Sequence, residues 1–185
     1  MSPPRRLGFR PLERADFRRL REWLSREHVA AWWGPESGGI AGVGDAAPTL
    51  AAVEEHYTAR NESGLTLRFV ILLDDEPIGL IQTYLLQDHP DYMSYVGIDE
   101  GAGVDLLIGE PDRIDKGVGT EVIRAFTHDV VFEVFDVGLC VASPDERNTR
   151  SLRAFEKAGY TRGPTVDVPG GTTREVVMTA RRSRA

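Results

Sequence analysis

An aspartate and a pair of glycines are the residues best placed to do chemistry in this sequence. Asp105 sits in the apolar run VDLLI, and Gly117 and Gly119 follow about a dozen residues later in VDLLIGEPDRIDKGVGT. The run reads as a strand, the charged segment after it as a turn, and KGVGT as a glycine-rich entry into a helix. Backbone N–H groups at a helix start lack intrahelical partners, and the helix dipole adds partial positive charge. Such an entry seats a phosphate or pyrophosphate. A carboxylate on the preceding strand suits a cation, above all an ammonium. The stretch is therefore suited to bring a phosphate-bearing cofactor and a charged amine together.

Other elements must hold these groups in place. Residues 7–12 (LGFRPL) read as a first strand. From Ala15 onward the spacing of Phe17, Leu20 and Leu24 predicts a helix, and HVAAWWG then places Trp32 and Trp33 before a glycine. A glycine-rich loop, residues 35–47, has the composition of a mobile segment. Thr49 is the expected N-cap of LAAVEEHYTAR, whose apolar stripe is Leu50, Val53 and Tyr57. Residues 66–73 and 77–86 flank DDE as a hairpin. Residues 87–103 are polar and acidic, contain Tyr92 and Tyr95, and read as a loop or lid. After a strand at 103–109, the helix from about Gly117 carries Val118, Val122, Phe126 and Val130 as a continuous stripe. A buried strand at 137–142 follows, then a helix opened by Asn148 and closed by Gly159. Strands at 160–168 and 173–179 flank PGG, and the tail RRSRA is expected to fray. This order predicts one α/β (α+β) domain over residues 1–185, with a mixed, mostly antiparallel central sheet and flanking helices.

Composition narrows the partners. The 41% hydrophobic content is enough for a core, and the net charge of −7 argues against nucleic acid and for a cationic ligand. The charge is uneven: eight acids fall between Asp88 and Asp115 (Asp88, Asp91, Asp99, Glu100, Asp105, Glu110, Asp112, Asp115) against one arginine, Arg113. An acidic trough for a polycation is the expectation. Cys140, the single cysteine, lies in VGLCVA and reads as a buried thiol. His28, His56, His89 and His128 show no metal-ligand spacing, so no metal is expected. MSPPRRLGF lacks a signal-peptide pattern and no stretch reaches membrane-spanning length, so a cytoplasmic protein without a membrane partner is expected. Nothing in the composition marks an oligomer interface, which leaves a monomer or weak homodimer.

A strand, KGVGT opening a helix, a further strand and then NTRSLRAFEKAGY together resemble the Gcn5-related N-acetyltransferase (GNAT) superfamily. Within it the pieces VAAWWG, PTLAAVEEHY, EPIGLIQTY, GVDLLIG, KGVGT and LRAFEKAGY are similar to the aminoglycoside 6′-N-acetyltransferases, over most of the chain. The resemblance implies an acetyl-CoA-dependent N-acetyltransferase that acetylates a primary amine of an aminoglycoside by direct attack and so confers resistance. It gives Asp105 the role of anchoring the amine and passing its proton on. It gives the backbone of Leu106, Leu107 and Ile108 the thioester and pantetheine, beside a strand-splaying bulge. Asp115, Lys116, Gly117, Val118, Gly119 and Thr120 would wrap the pyrophosphate, and Asn148 and Phe155 would line the pantetheine end. Trp33, Tyr57, Gln82, Tyr84, Asp91 and Asp105 fall on pieces matching the substrate side. Three positions depart from the family. Ile114 stands where Gln or Arg is usual before the glycines, Phe155 where many members carry an acidic tyrosine, and Ser143 at a place where a substrate carboxylate occurs. These departures keep two alternatives open: an acceptor that is a siderophore-precursor lysine or a protein amine, and an acetyl-CoA-binding module without catalysis.

Overall fold

The computed structural model describes residues 5–34 and 47–183, so most of the expected glycine-rich loop at 35–47 lies outside the described residues. Seven strands form one mixed sheet in the order β1-β2-β3-β4-β5-β7-β6. They are β1 (Leu7–Pro11), β2 (Leu67–Leu73), β3 (Glu76–Leu85), β4 (Ala102–Ile108), β5 (Leu139–Ala142), β6 (Thr161–Asp167) and β7 (Arg174–Arg181). β1–β2, β5–β7 and β6–β7 pair antiparallel, while β4 and β5 are parallel through Ala102 and Gly103. The helices are α1 (Phe17–Leu24), α2 (Glu27–Ala30), α3 (Leu50–Glu62), α4 (Pro90–Val96), α5 (Val118–Phe126), α6 (Phe132–Val134) and α7 (Thr149–Ala158). A mixed sheet with flanking helices is the predicted architecture. The chain divides into two compact units, Met1–Gln82 with Asp105–Ile114 and Thr83–Val104 with Asp115–Ala185, so β3 and β4 each contribute to both.

In the first unit α1 buries Phe17, Leu20, Trp23 and Leu24, while its arginines take the other face. Burying each such side chain contributes about 1.5–3 kcal/mol. They pack with Val53, Tyr57, Val70, Leu80 and Leu107 into one core. Thr49 caps α3 as expected, its hydroxyl accepting the Ala52 N–H at 3.2 Å. β2 and β3 join through Asp74 and Asp75, at φ 53° and 68°. Two left-handed residues make the turn whose twist matches that of the flanking strands, and aspartate tolerates that region better than most residues.

The second unit corrects two expectations. Residues 87–103 are not simply a loop, because they contain α4, with Pro90 and Asp91 in its first turn and Gly97 at φ 69° closing it. Its apolar side (Tyr92, Met93, Tyr95, Val96) packs with Tyr84, Leu86, Val141 and Val177. At seven residues the helix is too short for its period to stand out among the surrounding acids. α5 buries Val118, Val122 and Phe126 as expected, but a π-type turn follows at Thr127–Val131. The wider turn slips the stripe by one residue, so Val131 is buried and Val130 is not. Asn148 caps α7 by accepting the Ser151 N–H at 3.1 Å, and Gly159 closes it at φ 104°. β7 runs on to Arg181, and the Arg182 N–H donates to the Gly138 carbonyl at 3.0 Å, so the tail is held further than expected.

Candidate active site

Asp105 lies on β4, an interior strand, and not on an edge open to solvent. Its carboxylate is half-buried and accepts a 3.0 Å bond on Oδ2 from Gln82 Nε2 on β3. Gln82 is itself only 2% exposed, and its Oε1 has no hydrogen-bond partner among the described residues. A buried amide locked on one side to a carboxylate orients that carboxylate. The half-buried Asp105 carboxylate, fixed in orientation by the amide, therefore has the chemistry to hold an ammonium.

The strand that carries Asp105 leads into a bulge. The N–H groups of Gly109 and Glu110 both donate to the Ile78 carbonyl, at 2.7 and 3.2 Å. Two donors on one acceptor mark an extra residue in the strand. Gly79 admits the close approach here, because a Cβ at that position would overlap the Leu107 carbonyl. Since one residue's N–H and C=O share an edge and successive residues alternate, the backbone groups of Leu106 and Ile108 face away from β3. Trp23, Arg26, His28 and Glu110 surround this strand end, a group that the sequence reading did not single out. Glu110 accepts from Trp23 Nε1 (2.9 Å) and Arg26 Nη1 (2.7 Å). Burial raises its carboxyl, but the bonds from Trp23 and Arg26, with the charges of Arg26 and Arg19, outweigh that and hold it below the usual carboxylate range.

The other two expected residues of the first unit belong to its core. Tyr57 is fully buried, and Trp33 Nε1 donates to its hydroxyl at 3.4 Å, while the Arg68 guanidinium lies 5.6 Å from its ring centre. Both expected substrate contacts are thus packed within the core of this unit.

In the second unit the glycine turn has the form that its sequence suggests. Asp115 (φ 58°) and Gly117 (φ 77°) are left-handed, and Gly117 is the N-cap of α5. Asp115, Lys116 and Gly117 are exposed, Gly119 and Thr120 are half-buried, and Val118 is buried and anchors the helix. A Cβ on Gly117 or Gly119 would meet nothing within 4 Å. The cradle therefore stands open, with first-turn N–H groups at its floor, and its residues fit a pyrophosphate. Asp115 is not spare charge for a cation, because Arg150 Nε binds its Oδ1 at 2.9 Å.

Phe155 is 2% exposed and meets Tyr160 edge-on at 5.0 Å between centroids, so the expected cofactor contact is a core residue. The Tyr160 hydroxyl donates to Cys140 Sγ at 3.1 Å and lies 2.7 Å from Thr127 Oγ1. Burial first, then Cys140, pushes its phenol well above the ordinary value. Asn148 serves as the α7 cap already described. Tyr84 lies against Gly103, where a Cβ would strike its ring, and continues edge-to-face with His89 and Tyr92 at 4.6 and 5.9 Å. Tyr92 donates to Ser143 Oγ at 3.0 Å, and Tyr95 binds Glu175. Asp91 is exposed on α4. Tyr92 and Ser143 thus form a neutral hydroxyl pair that the loop assignment concealed; Pro90 before an acid was the available signal for the helix that carries it.

The eight acids of the expected trough have differing surroundings. Glu110 and Asp115 are committed to arginines, and the eight acids divide between the two units. Among the described residues no group of three or more His, Cys, Asp or Glu could hold a metal ion.

Comparison with known proteins gives a consistent picture. Residues 13–168 match the family model described as an acetyltransferase (GNAT) domain. The aminoglycoside N(6′)-acetyltransferase type 1 of Klebsiella pneumoniae is 34% identical over 167 residues, covering 89% of this chain and 78% of that protein. Among solved structures, the aminoglycoside acetyltransferase AAC(6′)-Ib in complex with coenzyme A and kanamycin superposes with a TM-score of 0.74. It is 29% identical, and the match covers 96% of this chain and 95% of that one. A spermidine N-acetyltransferase from Vibrio cholerae shares the fold at a TM-score of 0.70 and 18% identity, over 95% of each chain.

Proposed function

The chain belongs to the acetyltransferase (GNAT) family, and from that premise we propose that it transfers the acetyl group of acetyl-CoA to a primary amine of an aminoglycoside, at the 6′ position. The observation that carries the acceptor half of this reading is the Asp105 carboxylate held by the buried Gln82 amide. Resemblance along most of the chain to aminoglycoside 6′ enzymes supports the substrate class.

The chemistry assigned to each residue follows from what acyl transfer to an amine needs. An amine arrives as its ammonium ion and must lose a proton before it can attack. Asp105 binds the ammonium and passes its proton to water, as an oriented carboxylate of modest basicity does. Gln82 holds the carboxylate in one orientation and so fixes where the ammonium sits. Backbone N–H groups of Leu106 and Ile108, not that of Leu107, which faces β3, stabilise negative charge on the thioester oxygen, and the 115–120 turn fixes the pyrophosphate. Phe155 has no proton to give, and burial makes the Tyr160 phenol hold its own proton more tightly, so water or the incoming ammonium protonates the leaving thiolate. Acetylation removes a positive charge from the drug and with it part of its hold on anionic targets.

A second reading keeps the chemistry and changes the amine. Tyr92 and Ser143 form a neutral pair on the substrate side, which suits an acceptor with fewer positive charges. Steady-state turnover of acetyl-CoA against kanamycin-type aminoglycosides, polyamines, free lysine and lysine peptides separates the two. Turnover confined to amino-sugars with a 6′-amine supports the first. Activity on lysine or peptides alone, in protein that binds CoA, replaces it with the second.

A further inference from the structure

Two consecutive peptide groups at the end of β4 are fixed by hydrogen bonds at both of their ends. In the group between residues 108 and 109, the Gly109 N–H donates to the Ile78 carbonyl at 2.7 Å, and the Ile108 carbonyl lies 3.1 Å from His28 Nε2. A carbonyl can only accept, so His28 carries its proton on Nε2. In the next group, the Glu110 N–H reaches the same Ile78 carbonyl at 3.2 Å, and the Gly109 carbonyl accepts from Arg26 Nη1 at 2.6 Å. Arg26 is in turn held by Glu110, whose other oxygen accepts from Trp23. Gly109 lies so close to the Trp23 indole that a Cβ there would overlap it. Three side chains of the short run Trp23-Leu24-Ser25-Arg26-Glu27-His28 thus grip one strand end.

The restraint has a directional consequence. Ile108 is the last residue whose N–H points to the edge of β4 facing away from β3, and its carbonyl, on that same edge, is the one His28 takes. That N–H belongs to the preceding peptide group, separated from the fixed ones only by the φ and ψ of Ile108, so holding the 108–109 group narrows its aim. We propose that His28, supported by Arg26 and Glu110, is a positioning residue for acetyl-CoA: it holds the Ile108 peptide so that the β4 edge presents its donors to the pantetheine arm. The inference rests on the reading of the protein as an acetyl-CoA enzyme. Its chemistry requires a ligand carrying amide or thioester carbonyls in an extended chain, which the pantetheine arm supplies and the nucleotide end of CoA does not.

The test compares CoA with adenosine 3′-phosphate 5′-diphosphate, the same nucleotide and pyrophosphate without pantetheine, by calorimetry on the intact protein. His28→Leu and His28→Asn lose the bond to Ile108, since Asn places its amide where Nδ1 was. His28→Gln restores a donor near the Nε2 position. The expected result is a loss of about five- to tenfold in CoA affinity for Leu and Asn, with the nucleotide affinity unchanged and Gln close to wild type. Asn and Gln are equally polar, so that pair reads the effect if the Leu variant folds poorly. Equal weakening of both ligands, or Gln no better than Asn, overturns the positioning role. Wild-type protein that binds neither ligand overturns instead the acetyl-CoA reading on which it rests.

Discussion

The end of β4 and the start of α5 treat their backbone in opposite ways. In the first, side chains close on the backbone: Trp23, Arg26 and His28 hold the end of β4, and Gly79 and Gly109 lack a Cβ because a carbonyl or an indole already fills the space. In the second, Gly117 and Gly119 lack a Cβ and nothing fills the space. Glycine appears in both places for different physical reasons, close packing in one and an open seat in the other. The contrast teaches that the strand end spends its polar groups on itself to fix a geometry, while the helix start leaves its first-turn backbone N–H groups at an open turn.

Substitutions can break this contrast or sharpen it. The largest effect is expected at the fixed carboxylate. Asp105→Asn should lower kcat by about 100-fold or more while CoA binding is retained, because only the amine's proton and charge are at issue. Turnover equal to wild type removes Asp105 from the chemistry. Next come the glycines. Gly79→Ala should cost about 1–3 kcal/mol of stability in a denaturant titration, since the new methyl meets a backbone carbonyl that cannot move freely. Gly119→Ala should leave stability level or slightly raised, by up to about 1 kcal/mol, and weaken CoA binding instead. An unstable Gly119→Ala with a tolerated Gly79→Ala reverses the distinction.

A pH series adds a smaller effect. The Tyr160 phenol is raised in the folded state, so its contribution is complete below the unfolded value of about 10 and is lost as pH rises through the higher folded value. Alkaline unfolding should therefore be shallower in Tyr160→Phe, which also loses about 1 kcal/mol at neutral pH with the bonds to Thr127 and Cys140. The smallest change is expected at the neutral pair. Tyr92→Phe should shift the acceptor KM by about two- to fivefold and leave the acetyl-CoA KM alone. A shift in the acetyl-CoA KM would place that pair on the wrong side of the reaction.

Local rules made part of this legible in the residues. Thr49 and Asn148 cap helices where their side chains and spacing require it, and Asp74–Asp75 turns a hairpin where two acids separate apolar runs. KGVGT opens a helix for the same kind of reason. What escaped depends on partners distant in sequence. α4 exists because Tyr92, Tyr95 and Val96 find Tyr84, Leu86 and Val177 to pack against, a gain that no window of seven residues displays. The slip from Val130 to Val131 follows from one wide turn that leaves no mark in the pattern. His28 meets Ile108 across 80 positions, and nothing near either residue announces it. Phe155 and Tyr57 have the composition of site residues and the burial of core residues, and only packing separates the two.

The hydroxyl contact between Tyr160 and Cys140 gives the molecule a built-in reporter. The chain has a single sulfhydryl, with no accessible surface and a phenol bonded to it. A thiol reagent can therefore reach it only when the surrounding core opens. The rate of alkylation, followed by mass change against denaturant or temperature, measures that opening without any engineered label. Bound CoA should slow it in proportion to how much the ligand favours the closed form.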